Sequence, residues 1–131
     1  MTGSRVLVAD DIPAVLYAVD SLISPAFEVI GMVSDGKSAL EGILAQQPDL
    51  AILDISMPGL SGIEVARELR NRGNTTKIVF LTVHDDADIV ATCRAAGGLG
   101  YVLKPMIDTD LIPAMKEALA GRAFVSQLSS Q

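Results

Sequence analysis

Five polar side chains in this sequence are of types that could do chemistry together: the adjacent acids Asp10 and Asp11, the lone acid Asp54, the hydroxyl of Thr82 and the ammonium of Lys104. Each follows or ends an apolar run. Three carboxylates brought about 5 Å apart repel by roughly 3 kcal/mol per pair at an effective dielectric near 20. Lys104 can offset one of those charges, and a divalent cation would offset the other two. The donors on offer are carboxylate and loop carbonyl oxygens, with no His/Cys cluster, so the ion should be hard, Mg²⁺ or Mn²⁺. A hydroxyl and an ammonium facing the same place are good ligands for phosphoryl oxygens. A carboxylate in such company can attack phosphorus and form an acyl phosphate.

That chemistry requires elements that bring the five residues to one crevice. Five apolar runs have strand character: 5–9, 27–33, 50–53, 77–82 and 100–103. Three of them are near-continuous Val/Ile/Leu, as parallel strands covered on both faces require. Between them lie stretches with helical spacing. Val15, Leu16, Val19, Leu22 and Ile23 share one stripe behind Pro13, which suits a first helical turn. Later stripes are carried by Ala39 and Ile43, by Ile63, Ala66 and Leu69, by Ile89, Val90 and Cys93, and by Leu111, Met115 and Ala118. Glycines at 97–98 and 121 close the last two. Strand and helix alternate five times, which predicts an α/β fold with a parallel, doubly wound sheet and right-handed crossovers. Ligands of such sheets bind outside the carboxyl ends of the strands, where these acids, Thr82 and Lys104 fall. In the loop "ISMPGLSG" (55–62), Pro58 and the glycines allow a sharp turn beside Asp54.

Composition narrows the class. The chain has 131 residues, half of them hydrophobic and 20% charged, which suits one domain with a substantial core. A net charge of −6 argues against direct nucleic-acid binding, which needs a basic face. One cysteine excludes an internal disulfide and fits a reducing compartment. No apolar run approaches a membrane span, and the early acids do not suit a signal peptide. The expected location is the cytoplasm, with no membrane partner.

Four pieces, "ADD" (9–11), "LDISMPGLSG" (53–62), "LTVHDD" (81–86) and "AAGGLGYVLKP" (95–105), in this order and spacing, resemble a receiver domain of a two-component response regulator. The resemblance runs from residue 5 to about 121 and implies a flavodoxin-like (βα)5 fold with strand order 2-1-3-4-5. It implies that Asp54 takes a phosphoryl group from the phosphohistidine of a sensor histidine kinase. Mg²⁺ would be bound by Asp11, Asp54 and the main-chain carbonyl of Ser56, with Asp10 acting through water. Thr82 and Lys104 would contact the phosphoryl group. Tyr101 would be an aromatic switch that swings inward as Thr82 moves, and the Lys104–Pro105 peptide would be cis. Ser56 and His84 would flank the entry of the hydrolytic water and set the lifetime of the phosphorylated form. Catalysis would be confined to the chain's own phosphorylation and dephosphorylation.

The details "LTVHDD" and "GLGYVLKP" look most like receivers of LuxR-type (NarL/FixJ-like) transcription factors, in which Gly98 is often alanine. Such a resemblance implies a switched surface on the fourth helix, fifth strand and fifth helix, homodimerisation through it, and DNA contacted only by a helix-turn-helix output domain. The domain is expected to be 1–121, and 122–131 a polar tail that frays or begins a linker to such a domain. A receiver cut from a longer chain suits that tail better than a stand-alone one acting by protein–protein contact. A Mg²⁺-dependent phosphohydrolase with an aspartyl nucleophile commonly has a second acid two residues on, where this chain has Ser56. A flavin carrier on the same fold would need a phosphate-cradling first loop, where this chain has two acids, and stacking aromatics, of which it has no tryptophan. The plainer roles are helix capping for Asp10 and Asp11, packing for Tyr101 and Cys93, and an exposed loop position for His84.

Overall fold

The computed structural model describes residues 3–128. Six strands form one parallel sheet in the order β2-β1-β3-β4-β5-β6. They are β1 (Arg5–Ala9), β2 (Glu28–Val33), β3 (Leu50–Asp54), β4 (Lys77–Thr82), β5 (Gly100–Leu103) and β6 (Phe124–Val125). The helices are α1 (Pro13–Ile23), α2 (Gly36–Gln46), α3 (Gly62–Asn71), α4 (Ala87–Ala95) and α5 (Ile107–Leu119). The expected order 2-1-3-4-5 is present, extended by one strand. Among the described residues no helix is long and apolar enough to cross a membrane.

Strand alternation divides the core into two layers. Ala51, Leu53, Ile78 and Phe80 join the layer that includes Ala39 and Ile43 of α2, Val65, Ala66 and Leu69 of α3, and Cys93 of α4. Leu50, Ile52, Val79 and Leu81 join the layer with Val19 and Ile23 of α1 and Leu111 and Met115 of α5. Full burial of each large apolar side chain contributes about 1.5–3 kcal/mol. The middle strands are therefore sealed on both faces, and their carboxyl ends are held at fixed height.

Helix starts follow local chemistry. Pro13 opens α1, Asp35 caps α2 by accepting from Ser38 N, and Asp86 caps α4 by accepting from Asp88 N. Ser61 and Glu64 form a reciprocal capping box on α3.

Two expectations are corrected. The Lys104–Pro105 peptide is trans, as are all those described; Pro105 sits inside a 3-10 turn, Lys104–Met106, that leads into α5. Trans is also the intrinsic preference of an X–Pro bond. Nor does the segment after Gly121 simply fray. Phe124–Val125 pairs with β5, and Ser126 and Leu128 are buried. Residues 129–131 of the expected tail lie outside the described residues.

Candidate functional site

Asp54 is the last residue of β3, and the five residues of that strand are all buried. The strand hands its final carboxylate to a pocket whose other wall is the end of β1, where Asp10 is fully buried and Asp11 is exposed. One carboxylate oxygen from each of Asp10, Asp11 and Asp54 lies within 4.8 Å of the others. Lys104, just past β5, places Nζ 2.9 Å from Asp10 Oδ2 and 3.5 Å from Asp54 Oδ2. Asp10 Oδ1 accepts the N–H of Ile12 at 2.9 Å. Ser56 N donates to Asp54 Oδ1 at 3.4 Å, a long bond.

The charge balance is unequal. Burial and then the neighbouring Asp10 push the Asp54 carboxyl up to about 6, against the opposing pull of Lys104 and the Ser56 N–H. Lys104 Nζ pairs with the buried Asp10 Oδ2, which makes no hydrogen bond besides that ion pair. One ammonium among three carboxylates leaves two net negative charges, and three hard oxygen donors within 4.8 Å of one another fit a divalent ion of the Mg²⁺ class.

The loop after β3 is shaped by close approaches that the sequence does not disclose. A Cβ on Gly62 would collide with the carbonyl oxygen of Asp54, and one on Gly36 with that of Leu60. Gly62 N bonds Ile55 O at 2.9 Å, and Gly36 N bonds Pro58 O at 3.3 Å. The loop is thus clamped from α3 on one side and α2 on the other. Glycine in these two places lets the backbone around Asp54 sit where it does.

The remaining site residues are linked through one peptide. Thr82, buried at the end of β4, accepts His84 N–H on its Oγ1 at 3.1 Å, and its hydroxyl also lies against the Tyr101 phenol. Tyr101 is 2% exposed and donates its phenol to His84 O at 2.6 Å. Burial first of all pushes that phenol up to about 12, so it stays a donor at neutral pH. His84 is half-buried and the Ser56 side chain is exposed. Cys93 is 2% exposed within the core.

Comparison with known proteins decides the family. Residues 6–116 match the response regulator receiver domain. The chain belongs to that family. Similar proteins include the nitrate/nitrite response regulator protein NarL of Escherichia coli, 36% identical over 126 residues that make up 95% of this chain and 58% of NarL. The transcriptional regulatory protein PdtaR of Mycobacterium tuberculosis is 35% identical over 128 residues, 97% of this chain and 62% of PdtaR. The receiver thus spans about three-fifths of the length of these relatives. Among solved structures, the signal receiver domain of a response regulator named NarL from M. tuberculosis superposes with a TM-score of 0.89. It is 34% identical, and the match covers 93% of this receiver and 100% of that chain.

Proposed function

We propose that this receiver accepts a phosphoryl group on Asp54 from a histidine kinase in a Mg²⁺-dependent reaction and passes that state to a DNA-binding output domain. The observation that carries the reading is the partly neutralised cluster of three carboxylates at one pocket, with Lys104 Nζ 3.5 Å from Asp54 Oδ2. An Asp54 oxygen attacks the phosphorus in line; the O–P bond forms as the N–P bond to the donor imidazole breaks, and the imidazole leaves with the electron pair. At neutral pH Asp54 is mainly ionised and so nucleophilic. Lys104 is placed to receive charge from the transferring oxygens. Asp10, Asp11, Asp54 and the Ser56 carbonyl would hold Mg²⁺, which supplies further charge compensation there.

The Thr82 hydroxyl, turning to the acyl phosphate, disturbs the His84 peptide that also holds Tyr101, and the surface of α4, β5 and α5 responds. That response is a shift between two states, limited by the contacts that differ between them. Several similar proteins are named transcriptional regulators, which supports an output on DNA through a separate domain. Homodimerisation through this surface and a cytoplasmic setting belong to the same proposal.

Incubation with radiolabelled acetyl phosphate and Mg²⁺ tests the acceptor. Label enters the unaltered protein and is absent from Asp54→Asn; label persisting in that variant refutes the assignment. Ser56→Ala and His84→Ala still take up label but lose it at altered rates. Unchanged decay in both removes them from the path of the hydrolytic water.

A further inference from the structure

The turn that carries Lys104 is held from outside by a residue beyond the last helix. Ser126 is 2% exposed. Its N–H donates to Tyr101 O at 2.8 Å, continuing the β6–β5 pairing. Its Oγ accepts the N–H of Leu103, the residue before Lys104, at 3.1 Å. The same hydroxyl donates to Asp110 Oδ2, in α5, at 2.7 Å. One hydroxyl thus spans the Lys104–Met106 turn, fixed on one side to the end of β5 and on the other to α5. Thr109 Oγ1 holds the other Asp110 oxygen at 3.1 Å. Inside this staple, the Lys104 carbonyl closes the turn by accepting Ile107 N–H.

We propose that Ser126 is a positioning residue for Lys104, so that the segment after α5 is part of the phosphoryl-transfer machinery; this rests on the functional reading above. The physical reasoning is short. Lys104 faces two acids at different distances, and its reach to Asp54 is set by where its backbone leaves β5. Without the Ser126 hydroxyl, the Leu103 N–H loses a buried acceptor and Asp110 loses its tie to the sheet edge. The turn is then free to drift, and small displacements of a charge-stabilising group are costly to rate.

The test compares rates of label uptake from acetyl phosphate in the 131-residue chain. Ser126→Ala is expected to slow uptake by about tenfold, with the loss in kcat rather than in KM. In a Lys104→Met background the same Ser126→Ala change has no further effect on rate, because the group it positions is gone. An equal loss in both backgrounds, or a Ser126→Ala rate equal to that of the unaltered protein, overturns the proposal. If Ser126→Ala does not fold by circular dichroism, Asp110→Asn, which weakens the same staple from the other side, is carried through both backgrounds and read in the same way. If Lys104→Met does not fold, the kcat-against-KM split of the single variant decides, and a loss in KM alone overturns the proposal. No uptake by the unaltered protein overturns the functional reading, and this proposal with it.

Discussion

Replacing Asp54 by asparagine should make the metal-free protein more stable while removing its proposed activity. The carboxyl is 5% exposed, shares its pocket with two other acids, and has been raised from 3.8 to about 6. Holding it ionised in the folded state at neutral pH costs up to about 3 kcal/mol, at 1.36 kcal/mol per pKa unit. Screening and relaxation at the mouth of the pocket reduce the observable gain to about 1–2 kcal/mol. In a domain of this size that is a rise of about 5 °C in Tm. Asparagine keeps an acceptor for Ser56 N, and Lys104 keeps its 2.9 Å contact with Asp10. The gain should depend on pH in a defined direction. Between 3.8 and about 6 the folded protein binds the Asp54 proton more tightly than the unfolded chain, so raising the pH withdraws stability from the unaltered protein. Below 3.8 the carboxyl is protonated in both states and the gap closes. The assay is thermal melting of both proteins in EDTA from pH 3.5 to 7.5, repeated with millimolar Mg²⁺. The divalent ion should raise the Tm of the unaltered protein more than that of the variant. An asparagine variant no more stable at pH 7, or a gap that does not change between pH 7 and 4, refutes the electrostatic account of the pocket.

Two further expectations concern the scaffold. Gly62→Ala sets a methyl against the Asp54 carbonyl and should cost about 2–4 kcal/mol by denaturant titration, whereas Gly59→Ala, in open space at φ +76°, should cost only about 1–2 kcal/mol of backbone strain; equal costs would remove the clamp from the explanation. Cys93, whose thiol burial pushes up to about 12, should resist a thiol reagent at pH 8 in the folded protein and react at once in denaturant. Immediate reaction of the native protein would mean that α4 opens readily.

The sheet was legible because its strands are apolar runs punctuated by polar ends, and three of them carry the site acids and Thr82 at or just past those ends. Lys104 was legible as a site residue, but its stronger contact with Asp10 than with Asp54 was not, since side-chain reach is a tertiary property. β6 escaped because two residues in a Ser/Gln-rich stretch have no readable period, and the strand exists only by pairing with β5. Gly36 and Gly62 read as turn residues or helix starts, while their importance lies in which backbone they touch. Gly98 reads as a softened turn, yet a Cβ there would meet the Phe80 ring, so glycine and a large ring in β4 are matched.

The shortness of β6 has a consequence for anyone shortening this chain. Gly121, with its positive φ and exposed position, looks like a natural place to cut. A protein ending there would bare the outer rim of β5, including the Tyr101 carbonyl and the Leu103 N–H that Ser126 now occupies. Such a rim is a ready template for another molecule's strand. Two paired residues and one serine therefore act as a stopper, keeping the rim of β5 from recruiting a strand from its neighbour.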